Sequence, residues 1–236
     1  MYASWAWDAG IGGKVGDAYN QGWRIWKLGP YGATANAAIN LTLGASALPS
    51  IFVTPPVPVA MAAGGAAAYS LAFDVDRYRA ALTNKTAEFR ESSLEFMKAD
   101  STDLKVFKAR GGKLVIAQGV SDPVFSILDT INWWNALDKL SRANGGRAAE
   151  FARLFAVPGM NHCAGGPSTD QFDAFGALVN WVEKGVAPDR IAATARMGTP
   201  WPGRTRPLCA YPAQARYKGA GNVEDMDNFV CQAPRP

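Results

Sequence analysis

The chain has 236 residues, of which 48% are hydrophobic and 19% charged. That is enough apolar content for one large domain or a domain and a half, and too much for a disordered chain. The formal net charge of +4 is mild and the basic residues form no run, so composition gives no electrostatic case for nucleic-acid binding.

In chain order, the opening "MYASWAWDAG" lacks a basic n-region followed by an apolar stretch, so it does not read as a signal peptide. Either the protein is cytoplasmic or its N-terminal part lies elsewhere. Between Lys27 and Asp74 no charged residue occurs. Pro49, Pro55, Pro56, Pro58, Gly44, Gly64 and Gly65 interrupt this stretch. No clean run of about 18 apolar residues survives, and no membrane span is expected. The stretch reads as a loop-rich subdomain, or as an apolar surface packed over a pocket. "DRYRAALTNKTAEFRESS" is charged and reads as helix or loop.

Further on the pattern tightens. "TDLKVFKARGG" reads as a short helix stopped by Gly111 and Gly112. "KLVIAQG" reads as a buried strand. In "SILDTINWWNALDKLSRANGG", Ile127, Leu128, Ile131, Trp134, Leu137 and Leu140 share one helical face, and Ser126 with Asp129 fits a capping box. Trp133 and Trp134 are adjacent, so at most one points inward, and both read as packing. "FARLFAVPG" reads as a second strand. "TDQFDAFGALVNWVEKG" reads as a second helix, with Asp170 and Asp173 in its first turn, Lys184 in its last, and Phe172, Phe175, Leu178, Val179 and Val182 as its buried face. The order strand, helix, strand, helix indicates an α/β layered domain with parallel strands. Two strands alone make a poor parallel sheet, so further strands are expected from outside the chain. Cys209 and Cys231 flank a Pro/Gly-rich tail with little apolar periodicity. A disulfide between them would contribute roughly 3 kcal/mol and would imply an oxidising compartment. Cys163 is then left over, as a free thiol, an intermolecular link, or half of a bridge whose partner lies elsewhere.

Functional residues in open α/β sheets gather beyond the carboxyl ends of the strands. Asp122, in "GVSDP", follows the first strand, and His162, the one histidine of the chain, follows the second in "GMNHC". This order matches the last two members of a Ser, Asp, His triad. A histidine suits proton transfer because it titrates near working pH, and a carboxylate would hold its tautomer. A surface histidine and a turn-forming aspartate are the plainer readings of the same residues. No Gly-x-Ser-x-Gly elbow occurs. Ser46 in "GASAL" and Ser121 beside Asp122 are its nearest look-alikes, and neither fits. One His and one Cys, with no Cys-x-x-Cys, fall short of a zinc ligand set, so no metal site is expected.

"DLKVFKARGGKLVIAQGVSDPVFS", "FARLFAVPGMNHCAGGPSTDQFDAFGALVNWVEKGVAPDRIAATA" and "RTRPLCAYPAQARYKGAGNVEDMDNFVC" strongly resemble the C-terminal part of the tannase and feruloyl esterase family. "WAWDAGIGG" and "GWRIWKLG" resemble the back half of that family's lid. The resemblance implies a secreted or periplasmic serine carboxylic-ester hydrolase that cleaves small-molecule esters of aromatic acids through an acyl-enzyme. It implies an α/β fold: a partial α/β-hydrolase core over residues 101–236, preceded by part of an irregular lid over 1–100. Asp122 corresponds to the triad acid and His162 to the base. Phe125, three residues after Asp122, is then either a contact for the aromatic acyl group or a core residue heading the helix. Cys163 corresponds to a cysteine that bridges to one preceding the serine, and Cys209–Cys231 to a C-terminal bridge. The elbow serine, the oxyanion loop and the front of the lid are not matched, so the chain by itself is expected to lack triad activity. No cofactor is implied; a calcium ion occurs in the lid of some members, and its site is not found here. A catalytically inactive relative is the alternative reading. The sequence leaves the acyl group and the oligomeric state open.

Overall fold

A computed structural model of the protein describes residues 22–29, 38–57 and 65–234, without the side chains of 66 and 67. The chain divides into two compact units, one comprising Arg24–Ser101 and the other containing Thr102–Pro236.

The Arg24–Ser101 unit is built from short helices: α1 (Trp23–Lys27, entering from the other unit), α2 (Ile39–Gly44), α3 (Ala47–Ser50), α4 (Gly65–Ala72), α5 (Val75–Tyr78) and α6 (Ser93–Met97). Helices this short have little stability of their own, so local side chains close their ends. Asp74 caps α5 by accepting from the Arg77 N–H at 2.9 Å. Ser92 and Glu95 form a reciprocal capping box on α6. Inside the unit the buried hydroxyls of Thr54 and Ser93 bond to each other at 2.8 Å, and Thr54 Oγ1 also accepts from the Ser93 N–H. The Ser70 hydroxyl on α4 donates to the Leu41 carbonyl of α2. Short capped helices and proline interruptions thus give a loop-rich unit tied both by local caps and by polar contacts between distant segments.

The second unit opens with α7 (Lys105–Ala109), stopped by Gly111 at φ 76°. It continues with β1 (Leu114–Gly119), α8 (Ile127–Ala143) and β2 (Ala152–Val157). β1 and β2 pair in parallel, Leu114 opposite Ala152 through Gly119 opposite Val157. β2 is the centre of the core. Its even face, with Ala152 and Leu154, packs with Trp134 and Leu137 of α8 and with Phe151. Its odd face, with Phe155 and Val157, packs against Met160, Ile191, Ala193 and Leu208. Burial of each such side chain contributes about 1.5–3 kcal/mol. Ser126 caps α8 through the Leu128 N–H at 3.2 Å, in place of the expected reciprocal box with Asp129. Trp134 is the inward member of the Trp pair, edge-on to Tyr211, while Leu140 lies at the exposed end of the expected face.

Beyond β2 the structure departs from the expected second helix. Gln171–Phe172 is a short strand, β3, and the helix, α9, runs Ala174–Lys184 with Asp173 as its cap. Asp170 is therefore outside the helix and buried. Nor do Phe175 and Val182 face inward: they are 76% and 61% exposed. The buried contact is made by Trp181, whose ring lies under Lys113 Nζ at 5.3 Å and the Arg153 guanidinium at 4.9 Å, together with Ala174 and Ala177. The tail is also more regular than its sequence suggests. β4 (Arg190–Thr194) pairs antiparallel with both β3 and β5 (Thr205–Cys209), and β6 (Gln214–Tyr217) forms a hairpin with β7 (Phe229–Gln232). A Cys209–Cys231 disulfide joins β5 to β7.

Candidate active site

The parallel pairing of β1 and β2 brings their carboxyl-terminal loops side by side, and backbone hydrogen bonds extend beyond the strands. The Val120 N–H donates to the Val157 carbonyl at 3.0 Å and the Ser121 N–H to the Met160 carbonyl at 3.1 Å. The approach depends on Gly119. A Cβ there would lie 2.2 Å from the Met160 carbonyl oxygen and 2.5 Å from that of Asn161.

Asp122 follows, buried and bracketed by the fully buried Pro123. Its Oδ1 accepts from the Val124 N–H at 2.7 Å and the Phe125 N–H at 3.1 Å, an Asx-type turn that fixes the carboxylate plane. Its Oδ2 then lies 3.1 Å from Nδ1 of His162. Gln118, at the end of β1, stabilises the far side of this loop. Its Nε2 donates to the Phe125 carbonyl at 3.0 Å, and its Oε1 accepts from the Thr130 hydroxyl on α8. Phe125 is 63% exposed, with its ring centroid 5.5 Å from that of His162. It is therefore not a core residue.

The histidine loop turns sharply. Gly159, Gly165 and Gly166 all have positive φ, and so does Cys163, at 63°, the one non-glycine residue with such a backbone among those described. A Cβ on Gly159 would meet the Pro167 carbonyl at 2.3 Å, and one on Gly166 the Gly159 carbonyl at 2.2 Å. Within the loop the Asn161 N–H donates to the Gly165 carbonyl and the Ala164 N–H to the His162 carbonyl. Asp170 fastens it from below. Its buried Oδ2 accepts from the Gly165 N–H at 2.6 Å and from Arg196 Nε at 2.7 Å. Cys163 carries a free, exposed thiol.

The structure therefore brings Asp122, His162 and Phe125 together, with Cys163 next along the chain. Cys209 and Cys231 are joined away from them, in the tail. Ser121 is buried in the acid loop, and Ser46 is an exposed residue preceding α3 in the other unit. Gln118, Gly119, Asp170 and Arg196 support the site and are not singled out by sequence motifs. The glycine-rich run between Gly159 and Gly166 is the sequence sign of the tight loop they serve. Among the described residues no group of three or more His, Cys, Asp or Glu side chains is placed to hold a metal ion, and no helix is long and apolar enough to cross a membrane.

Chemically, an imidazole whose Nδ1 faces a fixed carboxylate presents Nε2 as the nitrogen able to exchange a proton with a nucleophile, and the carboxylate stabilises the imidazolium that results. The family model described as tannase and feruloyl esterase matches residues 1–232. Mono(2-hydroxyethyl) terephthalate hydrolase of Piscinibacter sakaiensis is 47% identical over 240 residues, covering 99% of this chain and 38% of that protein. Feruloyl esterase B of Aspergillus niger is 26% identical over 149 residues, covering 57% of this chain and 29% of that protein. A crystal structure of an esterase from Aspergillus oryzae superposes with a TM-score of 0.52 at 26% identity, over 69% of this chain and 34% of that structure. The chain thus spans well under half the length of these relatives. Its fold is that of the α/β-hydrolase core of such esterases, and the chain belongs to the tannase and feruloyl esterase family.

Proposed function

We propose that the chain is the acid-and-base part of a serine carboxylic-ester hydrolase acting on esters of aromatic acids. The observation that carries this reading is the 3.1 Å contact between Asp122 Oδ2 and His162 Nδ1, made by loops at the carboxyl ends of adjacent parallel strands. The aromatic acyl preference is supported by the terephthalate ester and feruloyl esterase relatives and by the exposed Phe125 ring beside His162. The serine is contributed by sequence outside these 236 residues, since no elbow motif occurs within them.

In the reaction His162 Nε2 takes the serine hydroxyl proton as the oxygen attacks the ester carbonyl. Asp122 holds the tautomer and stabilises the imidazolium. His162 then gives that proton to the leaving alcohol, and an acyl-serine forms. Water, deprotonated by the same histidine, hydrolyses the acyl-serine to the free aromatic acid. Residues 1–100 act as part of a lid and 101–236 as part of the catalytic domain. Cys163 bridges the base loop to a cysteine of the serine's loop. The Cys209–Cys231 bond suits an oxidising, secreted or periplasmic setting.

The test is turnover of methyl ferulate, methyl gallate and mono(2-hydroxyethyl) terephthalate. With the upstream region of the gene product present, His162→Ala and Asp122→Asn should each lower kcat by about 10³–10⁴. The 236-residue chain alone should show no serine-dependent turnover. Undiminished turnover in either variant would overturn the assignment, and turnover by the isolated chain would overturn the division of the triad.

A further inference from the structure

A second cleft, of about 270 Å3, opens beside the histidine loop, between that loop and the start of the stapled tail. Its lining includes Pro158, Pro167, Leu208 and the aromatic residues Trp201 and Phe229. Two guanidinium groups complete it, and they differ in one respect. Arg204 lies 3.9 Å from the Trp201 ring centroid and binds Glu224 through both Nε and Nη2, so its charge is already matched. Arg206 lies 4.2 Å from the Phe229 ring centroid, and Nη1 donates to the Thr205 carbonyl at 2.7 Å. Among the described residues no carboxylate forms an ion pair with Arg206. Burial pushes its guanidinium below the ordinary value, with the neighbouring Arg204 charge acting in the same direction and the Glu224 charge opposing it.

A half-buried cation in an apolar cleft, whose nearest carboxylate Glu224 is already engaged by Arg204, gains from a further anion. Arg is also the side chain whose planar fork meets a carboxylate through two parallel hydrogen bonds. The flat walls of Trp201, Phe229 and the two prolines suit a planar ring. A volume at the lower end of ligand pockets suits one ring rather than several. We propose that this cleft is a second binding site, specific for a single-ring aromatic carboxylate, with Arg206 as its anion-binding group and Trp201 and Phe229 as its ring contacts. The proposal does not depend on the role of His162. It places a ligand against Pro158 and Pro167, which flank the histidine loop, so occupancy is expected to be felt by that loop.

The test uses benzoate as the anionic probe and benzamide as its neutral match, titrated into isotope-labelled protein. Benzoate should bind saturably and shift the Trp201 indole N–H and the Arg206 side-chain signals. Benzamide should bind at least tenfold more weakly. Arg206→Gln should weaken benzoate at least tenfold and leave benzamide unchanged, while Arg206→Lys should fall between. Glu224→Gln, which frees Arg204 and removes a competing negative charge, should tighten benzoate about two- to threefold. His162→Ala should leave binding at this cleft intact. Equal binding of benzamide and benzoate would overturn the proposal. So would indifference of benzoate to Arg206→Gln, or loss of its binding in His162→Ala, which would place the probe at the candidate active site instead.

Discussion

The loops that carry Asp122 and His162 are held by backbone hydrogen bonds and by close contacts only glycine permits. The tail after β5 is laced internally by the β6–β7 ladder, but its attachment to β5 rests on one disulfide, a few hydrogen bonds at Thr205 and the Arg206 guanidinium stacked on Phe229. The first kind of support tolerates almost no displacement, because each bond partner is another piece of main chain. The second tolerates sliding, because a disulfide and a stack constrain separation more than register. A proton-transfer pair needs the first kind: misplacement of about 1 Å at a reacting group can cost about a hundredfold in rate. A surface tail needs only to stay folded.

Gly119 is where the stiffness of the first region can be tested most directly. Gly119→Ala forces a methyl group to within 2.2 Å of the Met160 carbonyl. It should lower kcat of the assembled esterase by about a hundredfold and destabilise the chain by about 1–3 kcal/mol, read from thermal unfolding and from the His162 ring signals. In the tail, replacing Cys209 and Cys231 together by alanine should cost about 3 kcal/mol while the His162–Asp122 contact persists in the folded state. Alkylation of the unreduced 236-residue chain should accordingly label one thiol, Cys163, and labelling of all three cysteines would contradict the bridge. A smaller effect is expected at the base of the histidine loop. Asp170→Asn removes a charge partner of Arg196, which is itself partly exposed. It should cost about 1–2 kcal/mol after allowance for solvent screening and broaden the signals of residues 159–166. The smallest effect concerns pH. Glu224 sits below its ordinary value of 4.5 because Arg204 hydrogen-bonds to it. A carboxyl lowered in the folded state contributes stability that is complete above its unfolded value and is lost as pH falls through the folded one. Acid titration below about pH 4.5 should therefore loosen the Arg204–Trp201 stack, seen as a change in Trp201 fluorescence, before it alters the histidine loop. The reverse order would show the tail to be the stiffer region.

The difference between the regions also explains what the sequence makes legible. β1, α8 and β2 announce themselves as apolar runs and a helical stripe bounded by glycine. The proximity of Asp122 and His162 follows from strand order alone, since parallel neighbours place their following loops together. The orientation of α9 is not legible, because apolar residues lie on more than one side of it. Phe175 and Val182 form a stripe as convincing as the one containing Ala174, Ala177 and Trp181, and only tertiary packing chooses between them. Asp170 resembles a helix-leading aspartate for the same local reason that Asp173 is one. The tail strands are short and mix arginine, proline and glutamine, so Ile191 and Ala193 are too few to show alternation. Gln118 carries no motif at all. Its role arises because the loop after β1 turns back over the strand's own end.

The two hydrogen bonds that lace the loops together beyond the strand ends, Val120 to Val157 and Ser121 to Met160, have a consequence for solvent exchange. These amide protons are shielded only while the two loops stay in register, so their deuterium uptake reports loop separation directly. Integrity of the Asp122–His162 geometry can thus be followed in protein that turns over nothing, with no substrate and no serine present.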